Sequence, residues 1–308
     1  MSLDARARAG LLAGAGSFAI WGLLPLYLYP LQTVPPLQII AHRIVWSCLF
    51  ILAWMLARGE LRALTAVLRS PPLLWRLLLT ALLIGNNWLV YVWGVAHGHV
   101  IDTSLGYYIN PLLNVVLGVF VLRERLNPRQ WLAVSLAAAA VAYLTFEAGH
   151  PPWIALTLGV SFSLYGLLRK LVRVEALPGL ATETVLLLPL AALYLTWCAA
   201  HGTGAFLHTA AWRDVMLVGL GIATALPLFL FAYAARLLPY STVGILQYIG
   251  PSGQLLCGVL VFHERFDGAR AVGFALIWLA LAIYALDGLW RSRARGTRAA
   301  APLARPTG

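Results

Sequence analysis

The sequence predicts an all-α integral membrane protein: ten transmembrane helices, arranged as two inverted five-helix repeats, with N- and C-termini cytoplasmic. Three observations predict it. The 308 residues are 61% apolar and only 11% charged, against roughly 25% charged residues in a soluble domain. The basic side chains sort to one side of the predicted spans, and the second half of the chain repeats the first at a spacing of 140 residues.

A hydrocarbon core about 30 Å thick takes roughly 20 helical residues to cross. Stretches of that length cover residues 10–28, 37–57, 73–94, 101–122, 129–146, 151–168, 179–199, 212–234, 240–262 and 269–289. The loops between them are too short to fold independently. Residues 1–9 are therefore read as a cytoplasmic N-terminus, 10–146 as the first five-helix repeat, 147–289 as the second, and 290–308 as a basic, disordered cytoplasmic tail suited to anionic lipid headgroups.

With the N-terminus inside, 18 of the 22 Lys and Arg fall on the cytoplasmic side, three (Arg213, Arg265 and Arg270) fall outside, and Arg43 lies within a span. That is the positive-inside pattern. It accounts for the net charge of +11 without a nucleic-acid partner. Asp4, Arg6 and Arg8 before an apolar run resemble a cleaved signal peptide, but the repeat requires the first helix to stay. Cys48, Cys198 and Cys257 are isolated within apolar spans and form neither a disulfide nor a metal framework.

Shifted by 140, Tyr108, Ile109, Pro111, Gly118, Val119, Val121, Glu124 and Arg125 meet Tyr248, Ile249, Pro251, Gly258, Val259, Val261, Glu264 and Arg265 without a gap. The first and sixth spans match at 144, where Ser17, Phe18, Gly22, Leu23 and Leu24 meet Ser161, Phe162, Gly166, Leu167 and Leu168. The unit is five helices, and an odd number forces the second copy to enter the membrane upside down. Transporters use inverted repeats to expose a midplane site to each side in turn.

Motifs spread over nearly the whole chain carry a resemblance. They include Ser17-Phe-Ala-Ile-Trp-Gly22, Ala41-His-Arg-Ile-Val-Trp-Ser47, Asn87-Trp88, Ser104-Leu-Gly-Tyr-Tyr-Ile-Asn-Pro111, Tyr165-Gly-Leu-Leu-Arg-Lys170, Glu183-Thr184, Leu246-Gln-Tyr-Ile-Gly-Pro251 and Leu286-Asp-Gly288. With these the chain resembles the RarD family of bacterial inner-membrane proteins, in the drug/metabolite transporter superfamily with EamA-type repeats. The resemblance implies a ten-helix, two-repeat transporter that exports small molecules.

Polar groups inside a membrane tend to face the bundle interior or a water-filled cavity. Here they are His42, Arg43, Asn86, Asn87, Asp102, Asn110, Asn114, Glu183, Gln247 and Gln254. Tyr107, Pro111, Asn114 and Gly118 share one face of the fourth span, and Gln247, Pro251, Gln254 and Gly258 share the matching face of the ninth. Pro111 and Pro251, as mid-helix kinks, would leave the carbonyls of Tyr107 and Gln247 without a donor. Two readings of these stripes stand. Either they line a cavity where Tyr107, Tyr108 and Tyr248 meet an organic substrate, or Pro and Gly shape the packing and the amides bond across helices. Trp21 and Tyr165, at matched positions, either flank that site or pack.

Glu183 and His42 could each carry a coupling proton; alternatively, Glu183 neutralises Arg43. Asp102 joins the same set of groups suited to coupling or ion pairing. Glu124 and Glu264 follow the ends of matched helices, where capping or loop ion pairs suits them. His97, His99, His201 and His208 have no ligand spacing, so neither a metal nor a cofactor is expected. Motifs of membrane enzymes are absent. The expected function is a secondary transporter with a small-molecule substrate and proton coupling in a lipid bilayer. A membrane scaffold or sensor is the alternative.

Overall fold

The computed structural model describes residues 3–123, 126–172, 174–208, 210–238, 243 and 246–299. Every regular element among them is helical. The helices are α1 (Leu3–Gly22), α2 (Leu24–Leu28), followed by a 3-10 turn (Tyr29–Leu31), α3 (Pro36–Ala57), α4 (Leu61–Leu68), α5 (Pro71–Ala96), α6 (Val100–Leu122), α7 (Pro128–Ala148), α8 (Trp153–Val172), α9 (Ala176–Ala200), α10 (Ala211–Leu237), α11 (Ile249–Leu260) and α12 (Gly268–Ala299).

Seven of these, α3, α5, α6, α7, α9, α10 and α12, are long and apolar enough to cross a bilayer. The first predicted span is an eighth if its two pieces, bent by 43°, are one crossing. At the predicted sixth and ninth spans stand shorter apolar helices, Trp153–Arg169 and Ile249–Leu260. Helix α4, with Leu64 and Val67 buried, was not anticipated in the loop after the second span. The last helix continues to Ala299, past the expected start of the disordered tail at 290.

Local chemistry explains the helix ends that matter for the site. Pro25 has no N–H to give the Trp21 carbonyl, and the helix breaks between Gly22 and Leu24. The Trp21 carbonyl instead accepts from Gln254 Nε2 at 3.3 Å. At the start of α6, the backbone N–H groups of Val100 and Ile101 donate to the Glu264 carboxylate, which satisfies two orphan donors and places negative charge at the positive helix end. The capping role expected of Glu264 is thus present, whereas Glu124 lies outside the described residues.

The chain divides into two compact units, residues 1–117 with 152–266, and residues 118–151 with 267–308. In the second unit α7 packs along α12. Asn127 opens α7 with a reciprocal cap to Gln130 and donates through Nδ2 to the Asp287 carboxylate at 2.8 Å. Arg129 pairs with the same carboxylate at 3.6 Å.

In the first unit the helices pair in a pattern that survives exchange of the two halves. The first span packs on the eighth (α1 on α10) and the third on the sixth (α5 on α8). Ser17 Oγ donates to the Pro227 carbonyl at 2.7 Å, and Asn87 Nδ2 donates to Ser161 Oγ at 2.9 Å. Ser161 is the repeat mate of Ser17, and position 227 lies 140 residues after Asn87. Glycines mark the other exchanged pair. A Cβ on Gly22 would stand 3.0 Å from the Gly250 carbonyl, bringing α1 against α11, and one on Gly106 would stand 2.9 Å from the Ala155 carbonyl, bringing α6 against α8.

Candidate functional site

Helices α3 and α9 pack against each other in the middle of the first unit. Residues 38–44, 47 and 51 of α3 are buried, and so are 178–184, 187 and 191 of α9, which is the same pattern shifted by 140. In that register Arg43 and Glu183 are repeat mates. Each is the eighth residue of its helix, about 10 Å along the axis from the N-terminal end at 1.5 Å per residue.

They do not pair, which corrects one of the two expectations for Glu183. Its carboxylate, 1% exposed, accepts from Thr80 Oγ1 at 2.7 Å and from the Tyr165 hydroxyl at 3.2 Å. Its cationic partner is Arg169, with Nε 3.7 Å from Oε1. Arg169 also reaches the carbonyls of Glu175 and Ala176. It lies across Gly179, where its guanidinium leaves no room for a Cβ. Arg169 belongs by sequence to a run of cytoplasmic charges, so the sequence reading missed it. The signal lies in Tyr165 and Arg169, four apart on one face of α8, opposite Gly179 and Glu183, four apart on α9.

Arg43 stands in different surroundings. Its side chain is buried, Nε donates to Thr224 Oγ1 at 2.8 Å, and Cζ lies 4.3 Å above the Trp88 ring. Among the described residues no carboxylate lies within ion-pair distance of it. Tyr91 follows Trp88 by one turn on the same face of α5, and its ring stands 5.9 Å from that of Tyr107. The Tyr107 hydroxyl donates to Asn87 Oδ1 at 3.1 Å, and Asn87 Nδ2 in turn donates to the Leu158 carbonyl and to Ser161 Oγ, both at 2.9 Å. Thr224 and Tyr91 were not singled out in the sequence, and Trp88 and Ser161 only as part of a motif and as a repeat mate, because a lone hydroxyl or ring in an apolar span carries no spacing signal.

The remaining candidates disperse. Tyr108 shares a hydrogen bond of 2.6 Å with Ser252 and stacks on Tyr248 with centroids 6.5 Å apart. The Asn110 amide donates to the carbonyls of Gly106 and Gly159 at 3.2 and 3.1 Å, in the orientation that satisfies it. Gln254 ties α11 to α1, and Gly258 packs on Ile101. Trp21 packs with Phe18 and Phe231. Asn86 and Asn114 are exposed on their helices and Gln247 is half-buried. Asp102 pairs with His99 at 3.2 Å in the first turn of α6 and does not join Arg43. The His42 ring lies 5.1 Å from Phe206, with Nδ1 unpartnered, and does not meet Glu183.

Pro111 lies within α6, and just before Pro251 the ninth span is interrupted: Val243 and Leu246 are helical, the Gln247 N–H donates to the Val243 carbonyl at 3.1 Å, and α11 starts afresh at Ile249, which puts Pro251 in its first turn, where a missing N–H costs nothing. The Gln247 carbonyl, expected to lack a donor, accepts from the Gly250 N–H at 3.3 Å. Among the described residues no cluster of His, Cys, Asp or Glu could hold a metal.

Comparison with known proteins adds a second line. The EamA-like transporter family matches residues 8–146, the stretch read as the first repeat. A protein described as an uncharacterized transporter of Pseudomonas aeruginosa is 46% identical over 94% of this chain and 97% of its own length. Protein RarD of Streptomyces exfoliatus is 42% identical over 98% of this chain and 96% of its own. A solved crystal structure at 23% identity superposes with a TM-score of 0.59 over 89% of this chain and 96% of that one, a likeness of fold.

Proposed function

The chain belongs to the RarD family of the drug/metabolite transporter superfamily and is a multi-pass protein of the bacterial inner membrane; on that premise we propose that it is a secondary transporter exporting small organic metabolites or drugs. In this reading ten helices cross the membrane as two inverted repeats, both termini are cytoplasmic, and the halves rock about a site between them. The observation that carries it is the exchange-related pairing of Ser17 with the eighth span and Ser161 with the third. Two halves that grip each other through equivalent contacts can trade conformations, which is what alternating access needs. A scaffold has no use for such a pairing.

Glu183 is the group we assign to proton coupling. It is a buried carboxylate whose cation, Arg169, is 14% exposed at the side chain and held by two carbonyls as well. Protonation would release the ion pair while leaving Arg169 its other acceptors, so the pair can open without stranding a charge.

The test is flux in proteoliposomes across a panel of labelled metabolites and drugs, with and without a pH gradient. Gradient-driven flux of at least one compound is expected, and Glu183→Gln should abolish its dependence on the gradient. No flux of any compound would favour a scaffold or sensor. Flux that keeps its gradient dependence in Glu183→Gln would remove the coupling role and leave the transporter reading intact.

A further inference from the structure

We infer that Arg43 is the anchor for the carboxylate of a monoanionic organic substrate, whose apolar or aromatic body lies among Trp88, Tyr91 and Tyr107. The inference rests on the transporter reading and names the class of compound carried at that site.

Arg43 is 6% exposed and stands well inside a membrane helix. A charge held there without a counter-ion is expensive. Its protein partners are one neutral hydroxyl, Thr224, and one ring face, Trp88. These take Nε and one side of the guanidinium plane. The two η nitrogens make no hydrogen bond or ion pair among the described residues. Two parallel η N–H groups match the two oxygens of a carboxylate.

The surroundings argue for the same ligand. The Tyr91 hydroxyl is buried without a hydrogen-bond partner, although buried hydroxyls almost always have one. Tyr91 stands one turn along α5 from Trp88, the ring over which the cation rests. The Tyr107 ring is tilted against Tyr91 at 5.9 Å and stands edge-on to Phe162 at 6.0 Å. Cation, spare phenol and aromatic walls together suit an acid with a flat or apolar body. One guanidinium balances one negative charge, so a monocarboxylate fits better than a phosphate dianion, which would leave charge unpaired in a low-dielectric site.

A competing explanation is that Arg43 is purely structural, pinning α3 to α10 through Thr224. The two differ in what removal does. A structural arginine stabilises the empty protein, whereas an anchor awaiting its anion destabilises it.

The experiment is thermal unfolding of the purified full-length protein in detergent, followed by circular dichroism, with aromatic and aliphatic monocarboxylates and their primary amides as probes. Acids are expected to raise Tm in a saturable way and the matching amides to fail. Arg43→Gln should raise the Tm of the ligand-free protein and weaken acid binding at least tenfold. Arg43→Lys keeps the charge but loses the fork, and should bind acids with intermediate affinity. If Arg43→Gln does not fold, the anchor reading fails on stability, and Arg43→Lys still reports on binding. Amides binding as well as acids, acids binding Arg43→Gln undiminished, or no acid shifting wild-type Tm would each overturn the proposal. Flux of neutral compounds alongside any of these would leave the transporter reading standing.

Discussion

Breaking the Glu183–Arg169 pair should cost more than breaking any single hydrogen bond around it, and a double-mutant cycle measures by how much. At 3.7 Å, the attraction between unit charges is about 4 kcal/mol at an effective dielectric near 20. Arg169 keeps its bonds to the Glu175 and Ala176 carbonyls and partial exposure when Glu183 is neutralised, so its stranded charge costs less than the 3–5 kcal/mol typical of a fully enclosed pair. Gln at 183 can still accept from Thr80 Oγ1. We expect Glu183→Gln to lose about 2 kcal/mol, Arg169→Met a similar amount, and the pair to show a coupling of about 1–2 kcal/mol. Thr80→Val, which removes one intramembrane hydrogen bond to the same carboxylate, should cost about 0.6–1.5 kcal/mol. Reversible unfolding in mixed detergent micelles reads all four variants. A coupling below about 0.5 kcal/mol, the ordinary scatter between independent sites, would refute the ion pair as an energetic unit.

Two further outcomes test the helix arrangement. Gly22→Ala should destabilise by about 1–3 kcal/mol, the usual cost of overpacking, because its Cβ would meet the backbone of Gly250 and Gly253 at 3.0–3.3 Å; the repeat mate Gly166 has nothing within 4 Å, so Gly166→Ala should be neutral or gain up to about 1 kcal/mol from helix propensity. Equal effects at the two positions would contradict the close approach of α1 and α11. Topology is read by an impermeant thiol reagent on single engineered cysteines, against a low background because Cys48, Cys198 and Cys257 are buried. Ten spans with both termini inside predict labelling of His150→Cys and His201→Cys from outside, and of Arg58→Cys and Glu175→Cys only after permeabilisation. Labelling of His150→Cys and Glu175→Cys from the same side would mean that α8 does not cross.

Membrane helices are legible in a sequence because the bilayer, rather than a neighbour, sets their length and apolarity. The second to eighth apolar stretches could therefore be bounded to within a few residues of observed helices. What differs between the two copies was harder to see. Eight identities relate the fourth and ninth spans, yet α6 runs unbroken through Pro111 whereas the ninth span is interrupted at Gln247 and Tyr248 before α11 starts at Ile249. The substitutions around the proline account for it. Asn110 and Leu113 are replaced by Gly250 and Gly253, and each glycine costs about 1 kcal/mol of helix propensity while allowing Gly22 its backbone contact. Matching on identities hides the two positions that decide the local backbone.

The same repeat, pressed further, would have settled the partner of Glu183. Two opposite charges buried in adjacent helices invite pairing, and on sequence alone Arg43 is the obvious cation. But at a shift of 140 the two are repeat mates, each the eighth residue of its helix. In the inverted arrangement proposed above, α3 and α9 enter the membrane from opposite faces. Each charge then lies about 10 Å inside its own face, and in a core about 30 Å thick the two are about 10 Å apart along the membrane normal, far beyond ion-pair reach. The cation for Glu183 therefore has to come from its own side of the membrane, where Arg169 closes the cytoplasmic end of α8. By the same geometry a carboxylate for Arg43 has to come from the outer half, and the described residues there supply none to it. The asymmetry is chemical: equivalent positions carry opposite charges, one satisfied within the chain and one left for a ligand.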